Sequence, residues 1–106
     1  MNVSYTHAFQ RQLKRLARKY RRIRADIQPI LDRHMPGDHV AGVAATVLKV
    51  RVSNSDANRG RSGGYRILYY VQTEDDIVLL TIYSKSEQGD VSINELREIL
   101  HAAEVM

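Results

Sequence analysis

The chain has no cysteine, only two prolines and one phenylalanine among 106 residues. Without cysteine it has neither disulfides nor thiolate metal sites. Apolar runs are short. Stretches such as Ile77 to Leu80 fall far below the ~20 residues of a membrane span. The start, Met1-Asn2-Val3-Ser4-Tyr5, lacks both the charged opening and the apolar core of a signal peptide. The expectation is a cytoplasmic protein with no membrane contact. Signature motifs are scarce too: the sequence contains no HExxH and no P-loop. His7, His34, His39 and His101 are dispersed rather than paired, and read as surface or capping residues. No metal and no small-molecule cofactor is expected.

What is present is ordinary in amount and uneven in place. An apolar fraction of 43% and a charged fraction of 26% suit one globular domain spanning 1–106, with a single modest core. Net charge is +4. Residues 1–35 carry nine Lys or Arg against Asp26 and Asp32, and residues 36–73 carry five against Asp38 and Asp56. Residues 74–106 reverse the sign, with Lys85 and Arg97 against eight acids. The front two-thirds therefore suits a polyanion, either nucleic acid or an acidic protein partner on the same face.

Periodicity divides the chain. Asn2 to Tyr5 can form a short strand, and Thr6 then offers a helix N-cap. Phe9, Leu13, Leu16, Ala17 and Tyr20 make one apolar stripe at helical spacing. The rest of that helix carries Arg11, Lys14, Arg15, Arg18 and Lys19. A helical pattern continues through Ile23, Ile27, Ile30 and Leu31 to about Arg33. Pro29 requires either a second helix starting near Asp26 or a kink. Met35 to His39 is a breaker cluster, and 36–46 reads as a loop. The period then changes from 3.6 to 2. Strands are expected at Val47–Val52, Tyr65–Gln72 and Ile77–Tyr83, with a polar connection from Ser53 to Gly64. Ser92 and Glu95 form a capping box for a last helix burying Ile93, Leu96, Ile99 and Leu100. The predicted class is α+β: two N-terminal helices, an antiparallel β-meander and a C-terminal helix.

Lys49 and Arg51 stand two apart on a strand and leave the same face of the sheet. Arg66 lies on the next strand and Lys85 just beyond the one after. Between antiparallel neighbours these four cations can converge, with Arg59 and Arg61 folding over them from the connecting loop. Like charges on one face repel, so such a patch calls for an anion, and a phosphodiester is the obvious one. Singly, any of these residues can equally be a solvated surface charge. The basic helix face, through Arg15 and Arg18 among others, either binds RNA phosphates or is simply solvated. Tyr83 is either packed or stacked on a base.

Leu48-Lys49-Val50-Arg51-Val52, then Arg61-Ser62-Gly63-Gly64-Tyr65-Arg66-Ile67-Leu68-Tyr69-Tyr70, then Leu79-Leu80-Thr81-Ile82-Tyr83-Ser84-Lys85-Ser86-Glu87 resemble the RelE/ParE toxin superfamily, most closely its HigB/RelE branch. The likeness covers nearly the whole chain in element order; its specific motifs lie in 47–91. It implies a RelE-like fold, a type II toxin restrained by a cognate antitoxin, and endoribonuclease activity on mRNA, commonly at the ribosomal A site. Carried over by position, Lys49 and Arg51 match the paired cations of the first meander strand. Arg66 matches the arginine of the Gly-Tyr-Arg motif, and Lys85 the lysine after the last strand. These four are the implied catalytic residues. The chain departs from the pattern twice. Ser86 stands where RelE has a second catalytic arginine, and Gly89-Asp90-Val91-Ser92 lacks the later catalytic tyrosine. Two other readings remain open: a ParE-like DNA gyrase inhibitor without nuclease activity, and a non-catalytic nucleic-acid-binding domain.

Overall fold

The computed structural model describes residues 2–32, 37–43, 45–56 and 64–103. Along them run β1 (Asn2–Tyr5), α1 (His7–Lys19), α2 (Ile23–Asp32), β2 (Asp38–His39), β3 (Val47–Val52), β4 (Tyr65–Val71), β5 (Asp76–Ser84) and α3 (Ile93–Ala102). The strands form one sheet in the order β1-β5-β4-β3-β2. The fold is α+β, and β3, β4 and β5 form the expected antiparallel meander. No helix among the described residues is long and apolar enough to cross a membrane.

The sheet has two differently used faces. Tyr65, Ile67 and Tyr69 of β4 join Val50, Ile77, Leu79 and Ile82 under α1 and α2, against Phe9, Leu16, Ile23, Ile27 and Ile30. That larger core follows from the helical stripe read in the sequence, whose opposite side leaves Arg11, Lys14, Arg15, Arg18 and Lys19 exposed. The alternate residues point the other way. Val47, Leu68 and Leu80 pack with Leu96 and Leu100 of α3. Only part of this second face is covered by α3, and beside it Lys49, Arg51 and Arg66 line an open pocket.

Three local features differ from the periodic reading. First, β1 joins the edge of β5 in parallel, Asn2 opposite Asp76 and Tyr5 opposite Leu79, so the sheet is mixed. Thr6 fixes this junction. Its hydroxyl accepts from the Phe9 N–H at 3.0 Å, capping α1, and donates to the Leu80 carbonyl at 2.7 Å. Second, the segment expected as a loop contains β2, a two-residue strand paired with Lys49 and Leu48. Two residues are too few to carry a period. Third, the helical break falls earlier than Pro29 suggested. Helix α1 ends at the Tyr20 cap, α2 begins at Ile23, and Pro29 lies inside α2 on its exposed side. There it lacks a donor for one helical bond, but its ring meets solvent rather than core.

A bulge in β5 matters most for the site. Leu68 opposes Thr81 and Tyr69 opposes Leu79, so Leu80 is an extra residue. Ile77 and Leu79 face the α1–α2 core before it, and Ile82 faces that core after it. Strict alternation from Leu79 would have placed Thr81 and Tyr83 in the core and turned Ile82 toward the pocket. The extra residue reverses the phase, so Tyr83 shares a face with its partner Arg66.

Candidate active site

Arg51, Arg66 and Tyr83 lie abreast on β3, β4 and β5, while Lys49 sits one step along β3 on the same face. Gly64 brings the fourth cation in. With φ at +98°, it turns the chain into β4, and its carbonyl accepts from the Lys85 backbone N–H at 3.0 Å. The ends of β4 and β5 are thereby clamped together. Lys49, Arg51, Arg66 and Lys85 line one pocket of about 230 Å³, joined by Asp38 and Asp90. The four cations expected to converge do so. Arg59 and Arg61 lie outside the described residues. Arg15 and Arg18 are exposed on α1, and neither lines this pocket. Tyr83 is packed, with 2% of its surface exposed.

Arg66 is the most constrained member. It is only 8% exposed, and its Nη1 donates to the Tyr65 carbonyl at a long 3.3 Å. Among the described residues no carboxylate lies within ion-pair distance of it. A buried guanidinium with no carboxylate in direct contact is costly, on the order of several kcal/mol. Such a group marks a place where an anion is expected to bind.

The acidic members went unread in the sequence. Oδ1 of Asp90 accepts from the Tyr83 hydroxyl at 3.0 Å and from Lys85 Nζ at 3.0 Å, and stands 3.7 Å from Lys49 Nζ. The hydrogen bonds from Lys85 and Tyr83, then the charge of Lys49, hold its carboxyl below the usual aspartate range. Burial and the Asp90 hydrogen bond push the Tyr83 hydroxyl up to about 12, so it is a donor at neutral pH. Asp38 reaches the pocket from β2, opposite Lys49 in register. The pocket therefore holds four cations against two carboxylates. The one signal for Asp90 was its place five positions beyond Lys85, in a tail that holds several other acids.

Glu87 explains part of the basic helix. Its carboxylate accepts from Arg15 at 3.2 Å and from Lys19 and the Tyr20 hydroxyl at 3.1 Å each. The segment carrying Lys85 and Asp90 is thus pinned to α1. Burial pushes the Glu87 carboxyl up, but the bonds from Lys19, Arg15 and Tyr20 outweigh it and hold it below its ordinary value of 4.5. A lowered folded value means stability that is present above that ordinary value and lost as pH falls below it. Glu87→Gln should therefore lower the thermal midpoint at about pH 7 and make little difference at about pH 3. A gap between the two proteins that persists unchanged in acid would remove the ion pairs as its source.

The match to known proteins agrees with this geometry. A family profile described as "RelE toxin of RelE / RelB toxin-antitoxin system" matches residues 6–106. That span takes in both sheet faces, the pocket and all three helices. The sequence is therefore that of a toxin with a cognate antitoxin, and the chain belongs to the RelE toxin family.

Proposed function

We propose that this toxin is an mRNA endoribonuclease working at the ribosome, with the pocket of Lys49, Arg51, Arg66 and Lys85 as its active site. The observation that carries the reading is Arg66, buried and unmatched by a carboxylate among the described residues, in a pocket where cations outnumber acids. A scissile phosphodiester supplies the missing charge. The 2′-oxygen attacks the adjacent phosphorus, a P–O bond forms, and the bond to the 5′-oxygen breaks. The products are a 2′,3′-cyclic phosphate, which water opens to a 3′-phosphate by breaking the bond to the 2′-oxygen, and a free 5′-hydroxyl. Arg66 holds the non-bridging oxygens as charge develops on them. Arg51, with Arg61, aligns the backbone. One of Lys49 and Lys85 takes the 2′-proton, and the other, as its ammonium, gives a proton to the leaving 5′-oxygen. No metal takes part in this scheme. The antitoxin acts by covering or distorting the pocket, and the chain is of the HigB type within its family.

Induced expression with mapping of mRNA 5′ ends tests the reading. New 5′-hydroxyl ends within translated frames are expected, and they should vanish when translation initiation is blocked. Inhibition of DNA gyrase with intact mRNA would replace this proposal with the ParE-like one.

A further inference from the structure

Asp90 sits where the proposed substrate's phosphate has to go. One oxygen, Oδ1, gathers the Tyr83 hydroxyl and both lysine ammonium groups of the pocket. Two hydrogen-bond donors and a third, more distant cation around one anionic oxygen is the arrangement a non-bridging phosphate oxygen would meet. Asp38, the other carboxylate of the pocket, approaches from the β2 side and is fixed opposite Lys49 by strand pairing. Asp90 has no such anchorage. It lies beyond β5 and before α3, and its side chain is 56% exposed. Its neighbour Gly89 stands in open space, with nothing within 4 Å of where a Cβ would be. The carboxylate can swing into solvent with a change of side-chain rotamer and little disturbance of packed residues.

We infer that Asp90 is a built-in stand-in for the substrate phosphate, occupying the anion seat until a phosphodiester displaces it. The inference rests on the proposed phosphodiester reading of the pocket and adds a displacement step to it. When Asp90 leaves, the incoming phosphate inherits Tyr83, Lys85 and Lys49 together with the unmatched Arg66. Weak anions fail to displace the carboxylate. A polyanion that engages Arg66 and Arg51 at once succeeds, so Asp90 favours a phosphate embedded in a longer nucleic-acid backbone over a free one.

The test uses the full chain and two probes: inorganic phosphate, and an RNA oligonucleotide made non-cleavable by 2′-O-methylation. Asp90→Asn keeps the shape of the side chain and removes its charge at an exposed position, so the fold is retained. It should bind inorganic phosphate about tenfold more tightly than the parent chain, the equivalent of ~1.4 kcal/mol. Asp38→Asn, which removes an equal charge from the same pocket, should gain less than about threefold, under ~0.7 kcal/mol. The gain for the oligonucleotide should be smaller than for phosphate, because Arg66 and Arg51 already help it displace Asp90. In the parent chain, saturating phosphate should shift the Asp90 carboxyl ¹³C resonance toward that of a free carboxylate. Equal gains from Asp90→Asn and Asp38→Asn would reduce the effect to general charge and overturn the inference, as would an Asp90 resonance that ignores phosphate. Phosphate displacement as described without mRNA cleavage would uphold the stand-in and sink the nuclease reading instead.

Discussion

Arg66→Met is expected to lower the cleavage rate on ribosome-bound mRNA by about 10²–10³-fold, the usual loss when one preorganised donor to a developing oxyanion is removed. The same substitution should leave the thermal midpoint unchanged or raise it. This second expectation runs against the habit of treating buried residues as structural. Arg66 is 8% exposed, and no carboxylate among the described residues pairs with it. Its folded environment does not repay the loss of hydration, and an apolar side chain of similar length removes that cost. Arg66→Lys keeps the charge but loses the two-pronged geometry, so it should recover only part of the rate. Steady-state cleavage and thermal unfolding, measured on the same preparations, check both halves. Wild-type cleavage by Arg66→Met would take the residue out of the chemistry. Loss of activity together with a large loss of stability would make it a structural arginine.

Gly64→Ala should destabilise the protein by about 2–4 kcal/mol, combining the left-handed backbone penalty with a steric clash. At φ +98° an added Cβ would lie 2.8 Å from the Val52 carbonyl oxygen, a backbone atom that cannot yield without opening the β3–β4 pairing. The Gly64 carbonyl also holds the Lys85 N–H, so the damage should reach the pocket. Gly89→Ala serves as the comparison. It adds the same methyl group in open space and should change stability by less than about 0.5 kcal/mol. Thermal midpoints of the two variants decide the matter, with roughly 4–8 °C expected per kcal/mol in a domain of this size. Indistinguishable midpoints would mean that the turn into β4 is not held as described.

Much of this arrangement was legible in the residues. The Phe9–Tyr20 stripe, the Thr6 and Ser92 caps, and the alternation in Val47–Val52 each carry a local physical cause, and each produces the element expected. The convergence of Lys49, Arg51, Arg66 and Lys85 needed only antiparallel pairing between consecutive strands. What escaped depended on geometry without local signal. The Leu80 bulge is invisible in Ile77–Tyr83 because that run is apolar on both faces, and only Thr81 breaks it. The partner of β1 could not be read from four residues, and β2 is shorter than any period. Asp90 and Glu87 looked like members of an acidic tail. Their importance comes from chain reversal after Ser84, which sets one carboxylate against the lysines and the other against α1. Regular strands order Lys49, Arg51 and Arg66 in the sequence itself, whereas Asp90 and Glu87 take their places from a turn with no period.

The parallel pairing of β1 with β5 bears on when the toxin becomes dangerous. Asn2 waits for Asp76, and the pocket draws on residues from Asp38 to Asp90. The β3–β4–β5 hairpins close locally, whereas the β1 edge closes across most of the chain, the slower kind of contact to form. A ribosome making this protein therefore emits the basic helices long before it emits Lys85 and Asp90. The nascent chain is a polycation without a pocket. The order of synthesis gives the cell an interval in which the toxin is present as sequence but not yet as a site.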